Sequence, residues 1–262
     1  MIRLAIHGAA GRMGLRLFAL ASEDKSFELV AGIDRASHPS DGRDLAALAG
    51  VDSPSIALCD TLACPADVLI DFSIPAATRV ATAQCVERRT NMVVGTTGLT
   101  DEDHRGLDEA AQRIAILQAP NMSLAVNLLF SLAAQVAKRL GDDYDVEIVE
   151  AHHRFKTDAP SGTALGIAEA ICEATARDMS ATLVHGRSGD APRQRGQIGM
   201  HALRTGDVVG RHTVSFGTLG EELQLGHIAT TRDIFARGAL TAAKWIAGKP
   251  PGRYQLKDVL GL

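Results

Sequence analysis

The run Ile2-Arg3-Leu4-Ala5-Ile6-His7, followed at once by Gly8-Ala9-Ala10-Gly11-Arg12-Met13-Gly14 and an apolar-periodic stretch to about Ser22, restricts the fold more than any other part of the chain. A short β-forming run, a glycine turn and a helix make the first half of a βαβ unit. Each glycine has a physical reason to be there. Gly8 supplies the tight turn, Gly11 lets backbone amides approach a pyrophosphate, and Gly14 lets the helix pack closely on the strand. The next strand, residues 28–33, ends in Asp34, twenty residues beyond Gly14, where dinucleotide-binding folds place an acid for the ribose hydroxyls. Arg35 follows it, a guanidinium able to meet a 2′-phosphate, so this pair leaves both NADH and NADPH open.

The N-terminal half continues in the same rhythm. After a loop with a short helix around residues 45–49, residues 67–72 form a continuous apolar run suited to a parallel sheet covered on both faces, and residues 76–88 read as a helix. Strand 92–94 leads into Gly95-Thr96-Thr97-Gly98, and strand 114–117 into Ala119-Pro120-Asn121-Met122-Ser123. These loops follow strand C-termini, the edge at which an open α/β sheet holds its ligand, and their small hydroxyl residues suit the nicotinamide end of a cofactor. Residues 124–140 have helical periodicity and stop at Gly141.

Beyond Gly141 the pattern changes character. Residues 144–150 alternate like a strand with one solvated face, and deliver Glu150-Ala151-His152-His153-Arg154-Phe155-Lys156-Thr157-Asp158-Ala159-Pro160-Ser161-Gly162-Thr163. Four cationic or ionisable side chains within five positions, ahead of a helix begun by Ser161 or Gly162, make a site for an anion. His152 and His153 can titrate near neutral pH, Lys156 can donate a proton or hold a carboxylate, and the Gly162 and Thr163 amides sit at a helix N-terminus. The helix is expected over residues 160–178, and strands over 181–185, 198–204, 207–217 and 221–229, the last two joined as a hairpin at Thr218-Leu219-Gly220. The loop 186–196 carries Arg187, Arg193 and Arg195, which can either close over an anion or lie solvated. A helix over residues 232–247, with Phe235, Leu240 and Trp245 as buried candidates, closes the regular structure.

Composition narrows the partners. A net charge of −4 excludes a protein that grips nucleic acid through bulk positive charge, so any basic site must be local. No apolar run reaches the length of a membrane span, and the N-terminus has no signal-peptide pattern, which predicts a cytoplasmic protein. The cysteines, Cys59, Cys64, Cys85 and Cys172, show neither CxxC spacing nor histidines at zinc-finger distances, so no metal site and no disulfide framework is expected.

Taken together, Gly8 to Gly14, Gly95 to Gly98, Ala119 to Ser123 and Glu150 to Thr163 closely resemble the 4-hydroxy-tetrahydrodipicolinate reductase family, also called dihydrodipicolinate reductases, over nearly the whole chain. The most specific match is His152-His153-x-x-Lys156-x-Asp158-x-Pro160-Ser161-Gly162-Thr163, supported by Arg204-Thr205-Gly206-Asp207-Val208-Val209-Gly210 and Phe235-Ala236-Arg237-Gly238-Ala239. The resemblance implies an α/β fold: a Rossmann-type dinucleotide-binding domain, residues 1–122 and 232–262, plus an α+β substrate and tetramerisation domain with a mixed open sheet, residues 123–231. It implies reduction of a small dicarboxylate on the diaminopimelate and lysine pathway by NADH or NADPH, in a homotetramer. His152 then matches the catalytic acid/base, Lys156 the second proton donor, His153 a substrate contact, and Ser161, Gly162 and Thr163 the carboxylate clamp. Gly8, Ala9, Ala10, Gly11, Arg12, Met13, Asp34, Arg35, Gly95, Thr96, Thr97, Ala119, Pro120, Asn121 and Met122 match cofactor contacts. Arg211 departs from the family pattern, standing where Glu is common, and Phe155 stands where some members have His.

Two other classes remain to be set against this one. A different two-domain NAD(P) oxidoreductase would be separated by a substrate panel, and the chain carries no Glu-Lys-Pro motif or suitably placed cysteine nucleophile. A non-catalytic nucleotide sensor predicts cofactor binding without turnover, against which His152, Lys156 and Ser161-Gly162-Thr163 all stand.

Overall fold

The computed structural model describes all 262 residues, Met1–Leu262, and divides into two compact units, Met1–Ser123 with Asp233–Leu262, and Leu124–Arg232. The first unit opens with β1 (Ile2–His7), α1 (Arg12–Ser22) and β2 (Phe27–Ile33). The short helix α2 (Leu45–Ala49), capped by the Asp44 carboxylate, and the edge strand β3 (Leu58–Cys59) follow. Then come β4 (Val68–Asp71), α3 (Pro75–Arg88), β5 (Asn91–Val94), α4 (Asp101–Ala110) and β6 (Ala115–Gln118). The apolar strands are short because both faces are covered: Leu69, Ile70, Val93, Val94 and Ile116 are wholly buried.

Helix α4 had no counterpart in the sequence reading, because only its Leu107 and Ala110 supply apolar burial. A capping box marks it instead: Thr100 accepts from the Asp103 amide while the Asp103 carboxylate accepts from the Thr100 amide at 2.8 Å. Asp103 also pairs with Arg79 of α3, which ties the two helices together.

The second unit begins with α5 (Leu124–Leu140) and a single 3₁₀ turn, then β7 (Asp145–His152), α6 (Gly162–Thr175), α7 (Met179–Thr182), β8 (Leu183–His185), β9 (Ile198–Arg204), β10 (Gly210–Thr218) and β11 (Glu221–Ala229). Its five strands lie in the order β11-β10-β7-β9-β8, antiparallel on one side of β7 and parallel on the other. Residues 179–182, expected to begin a strand at 181, instead form a turn of helix capped by Asp178, and 207–209, expected within the next strand, lie outside β10, with a turn at 206–207. Strand β7 runs two residues further than its alternation suggested, so His152 lies within the strand.

The chain then returns to the first unit through α8 (Asp233–Ile246), β12 (Gly252–Tyr254) and α9 (Leu256–Leu260). β12 adds a parallel edge to β6, completing a seven-stranded sheet in the order β12-β6-β5-β4-β1-β2-β3, every pair parallel. Of the residues expected to be buried on α8, Leu240 is; Phe235 and Trp245 are only half-buried, Trp245 standing edge-on to Tyr254. The core residues there are alanines, Ala236, Ala239, Ala242 and Ala243, and Gly238, where a Cβ would fall 1.7 Å from the Met122 carbonyl oxygen. Small side chains let this helix lie close against the sheet. No helix is long and apolar enough to cross a membrane.

Candidate functional site

In the first unit the glycine turn is defined by hydrogen bonds the sequence did not reveal. Gly8 has φ +73°, and a Cβ on it would fall 2.4 Å from the Phe72 carbonyl oxygen; on Gly14 a Cβ would fall 2.1 Å from the Gly8 oxygen. Both positions therefore require glycine. The Gly8 and Ala9 amides donate to the Ile33 carbonyl at 2.9 and 3.0 Å, and the Ala10 amide donates to Asp34 Oδ2 at 3.1 Å. Asp34 thus braces the turn against β2. Gly11 is the N-cap of α1 and brings no side-chain cap, leaving the first amides of that helix to an outside acceptor. Arg35 is exposed beside Asp34.

The positions matched to cofactor contacts fall into two groups. Gly11, Arg12, Arg35, Thr97 and Pro120 are exposed, and Ala10, Met13, Asp34 and Asn121 partly so. Ala9, Gly95, Thr96, Ala119 and Met122 are buried, and they shape the loops from beneath. Thr96 is the clearest case: its hydroxyl accepts from the Ser73 amide and donates to Asp71 Oδ2, each at 2.9 Å.

Asp71, at the end of the apolar strand β4, is fully buried and accepts from His7 Nδ1 at 2.8 Å and from the hydroxyls of Ser73 at 2.6 Å, Thr78 at 2.5 Å and Thr96 at 2.9 Å. Burial alone would raise its carboxyl; the hydrogen bonds from His7, Ser73 and Thr78 outweigh it and hold the group below the usual carboxylate range. One carboxylate joins the ends of β1, β4 and β5 to the first turn of α3. A charged residue closing a wholly apolar run was the only signal of this in the sequence.

In the second unit the inward row of β7 reads Val146, Ile148, Glu150, His152, all buried. Across the antiparallel pairing, the inward row of β10 supplies Phe216, Val214, His212 and Gly210. The face that packs on α5 and α6 through Ile148, Val214, Ile167 and Ile171 turns polar over its last two rows. There Glu150, with no exposed surface, accepts from the Ser161 amide at 3.1 Å and from both terminal nitrogens of Arg204 at 2.9 Å, and its Oε2 lies 2.6 Å from His152 Nδ1. Neither Glu150 nor Arg204 was singled out as a site residue, because only the register β7 against β9, which sets His152 opposite Arg204, brings them together.

His212 lies edge-on to His152, ring centroids 5.1 Å apart, and its Nε2 is 3.0 Å from the Ser161 hydroxyl. Burial and the neighbouring His152 push His212 down to about 4. Ser161 also caps α6, accepting from the Ala164 amide at 3.2 Å, so its hydroxyl is committed within the protein. Gly162 is exposed and Thr163 partly so, in the first turn of that helix.

On the turn after β7, Lys156 Nζ lies 2.8 Å from both oxygens of Asp158, whose carboxyl it holds below the usual range. Arg204 also donates to the Asp158 carbonyl at 2.5 Å, which pins the turn to β9. His153 Nε2 lies 3.3 Å from a terminal nitrogen of Arg232. Phe155 is 80% exposed, and Arg154 is exposed with its amide on the Gly206 carbonyl.

The arginines of the loop 186–196 are each paired with acidic side chains in this structure. Arg187 and Arg193 both pair with Glu147, Arg193 also with Asp145 at 2.7 Å, and Arg195 with Asp143 at 2.8 Å. Gly199 makes room for this cluster, since a Cβ there would fall 1.7 Å from a Glu147 oxygen. Arg211, the departure from the family pattern, is exposed on the outward face of the sheet, flanked by Ala151 and Ile228.

Profiles for the N-terminus and the C-terminus of dihydrodipicolinate reductase match residues 2–122 and 125–260. The chain belongs to the dihydrodipicolinate reductase family. Among curated relatives of the family, the 4-hydroxy-tetrahydrodipicolinate reductase of Alkalilimnicola ehrlichii is 46% identical over 99% of both chains, and that of Hahella chejuensis 45% identical over the whole of both. A solved member, a dipicolinate-bound dihydrodipicolinate reductase from a Paenisporosarcina species, superposes with a TM-score of 0.78 at 26% identity, covering 97% of each chain.

Proposed function

We propose that this chain catalyses the NAD(P)H-dependent reduction of 4-hydroxy-tetrahydrodipicolinate to tetrahydrodipicolinate, a step of diaminopimelate and lysine biosynthesis. The observation that carries the reading is the end of β7: His152 held by the buried Glu150, followed by Lys156 and the first turn of α6. We assign the dinucleotide to the unit formed by the two chain ends and the dicarboxylate to the unit between them. The uncapped start of α1 at the exposed Gly11 fits a pyrophosphate, with Gly8 and Gly14 shaping the turn beneath it, and Asp34 and Arg35 fit the ribose and a 2′-phosphate, so both NADH and NADPH are accepted. When bound, the reduced nicotinamide supplies the hydride.

The residues of the second unit do the rest. Loss of the 4-hydroxyl as water leaves a conjugated carbon–carbon double bond, and hydride addition to it leaves an electron pair that must take a proton. His152 donates that proton. Lys156 exchanges its Asp158 partner for a substrate carboxylate, supplies positive potential as charge develops, and is the second group placed to donate that one proton. His153 and the first-turn amides of Gly162 and Thr163 hold carboxylate oxygens. Ser161 contributes by capping α6 and carrying its amide to Glu150, a supporting part within the clamp.

The test is a coupled assay in which the upstream synthase makes the substrate from pyruvate and aspartate semialdehyde while nicotinamide absorbance is followed. Oxidation of NADH or NADPH well above background is expected. Absence of it, with the cofactor still bound, would point to the nucleotide-sensing alternative.

A further inference from the structure

We infer that Glu150 is the positioning residue of the proton donor: its carboxylate keeps one proton of His152 on Nδ1, which leaves Nε2 as the atom that exchanges a proton with the substrate. The inference rests on the reading of His152 as that donor.

It follows from counting donors. Glu150 Oε1 accepts from Arg204 Nη2 at 2.9 Å and from the Ser161 amide at 3.1 Å; Oε2 accepts from Arg204 Nη1 at 2.9 Å and lies 2.6 Å from His152 Nδ1. Guanidinium and backbone N–H groups only donate, so three of the four contacts have a fixed direction. A carboxyl that kept a proton for His152 would leave the Arg204 guanidinium without its counter-charge in a place where Glu150 has no exposed surface, a large cost. Glu150 is therefore an acceptor on all sides, and the proton in the fourth contact belongs to His152 Nδ1. Burial acts to raise the Glu150 carboxyl, but the hydrogen bonds from Arg204 and His152 outweigh it and hold it below the usual range.

The other ring nitrogen is treated differently. At Gly210 a Cβ would fall 3.2 Å from His152 Nε2, so the glycine leaves that nitrogen approachable. Among the charged and titratable groups of the neighbouring strands and turn, Arg204 on β9 pairs with Glu150, His212 on β10 meets the His152 ring, and Lys156 on the turn pairs with Asp158. His212, whose Nε2 is taken by Ser161, offers His152 a ring edge and no hydrogen bond. In the proton step the Nε2–H bond breaks, its electron pair stays on Nε2, and the proton bonds to the substrate carbon. His152 passes from imidazolium to a neutral ring still protonated at Nδ1, and regains its Nε2 proton from solvent after turnover. The Glu150 carboxylate fixes the tautomer and ring orientation throughout.

The experiment is ¹⁵N NMR of the full-length enzyme with labelled histidine, His152 being assigned by the signals missing in His152→Gln. Neutral His152 is expected to show a proton-bearing Nδ1 and a pyridine-type Nε2; the reverse pattern in the wild type overturns the inference and needs no further variant. Glu150→Gln, whose amide can donate to Nδ1, is expected to invert the pattern and lower kcat about a thousandfold or more with little change in the KM for substrate, the order observed when an amide replaces the carboxylate behind a catalytic histidine. Glu150→Asp is expected to keep the wild-type tautomer and recover part of kcat. A folded Glu150→Gln enzyme within about threefold of wild-type kcat overturns the inference. Full activity in His152→Gln removes His152 from the reaction, and with it the role of Glu150, whatever the spectrum shows; that outcome is distinct from a reversed spectrum, which leaves His152 as the donor.

Discussion

At the scale of single residues the site depends on which groups already have partners. Lys156 is paired with Asp158, so substrate binding exchanges one carboxylate for another and the cost of uncovering the ammonium is small. Lys156→Ala is expected to lower kcat by about two to four powers of ten, the range of general-acid and electrostatic contributions, while NADH binding followed by fluorescence titration stays at the wild-type value. Unchanged turnover would remove Lys156 from the chemistry. Arg35 is exposed, and its partner is expected to come from the cofactor. Arg35→Ala should weaken NADPH about tenfold or more and leave NADH nearly unaffected, since a guanidinium–phosphate contact is among the stronger charge-assisted bonds; equal losses for both would show that Arg35 does not meet the 2′-phosphate. His152, His153, Lys156, Ser161, Gly162 and Thr163 were legible because their order in the chain is itself the pattern. Glu150, Arg204 and His212 were not, because each reaches the site across a strand pairing.

At the scale of elements, strand ends are where the buried polar groups gather. The Asp71 carboxylate collects donors from His7, Ser73, Thr78 and Thr96, so the ends of β1, β4 and β5 share one acceptor. Asp71→Asn keeps the size but turns an NH₂ group towards donors. It is expected to cost about 3 kcal/mol in urea unfolding, as for other broken buried charge pairs, and to raise the NADH dissociation constant through the displaced Gly95–Thr97 loop. A midpoint and an affinity both equal to wild type would show that this junction does not hold the loop. Most helices and strands were legible from apolar period, including the exact span of α5. β3, α4, α7, β12 and α9 were not: α4 is held by its capping box and an Arg79–Asp103 pair more than by an apolar stripe, and β12 is a three-residue edge strand defined by its pairing with β6.

Across the whole molecule, pH and association are the two measurable consequences. The folded protein holds His212 neutral with its titration near 4, against about 6.5 in an unfolded chain, so unfolding takes up a proton between those values. The contribution is fully present above pH 6.5 and is lost as pH falls towards 4, on the order of 3 kcal/mol in all. Urea midpoints for the wild type should therefore drop between pH 7 and pH 5, and His212→Gln should flatten that part of the profile; parallel profiles would place the acid sensitivity elsewhere. The outward face of the second unit's sheet carries Ile228, Leu203 and Val149, all exposed. We expect this face to bury itself in the homotetramer that the family resemblance implies, with four chains in sedimentation velocity and smaller species for Leu203→Asp; a wild-type monomer would exclude the assembly.

What the amino-acid order determined by itself was local or periodic: the glycine turn, because a Cβ on Gly14 would strike the Gly8 oxygen six residues earlier; the helix spans, because burial repeats with the turn; and the His152 to Thr163 cluster, because its members are adjacent in the chain. What only the tertiary structure decided was which charges meet. Asp71 joins His7 and Thr96, Glu150 joins Arg204 and Ser161, and the arginines after β8 are bound by Glu147, Asp145 and Asp143. The physical reason is the same in each case. A buried carboxylate must find enough donors to replace water, and strand register, set by hydrophobic rows elsewhere on the sheet, determines which donors those are.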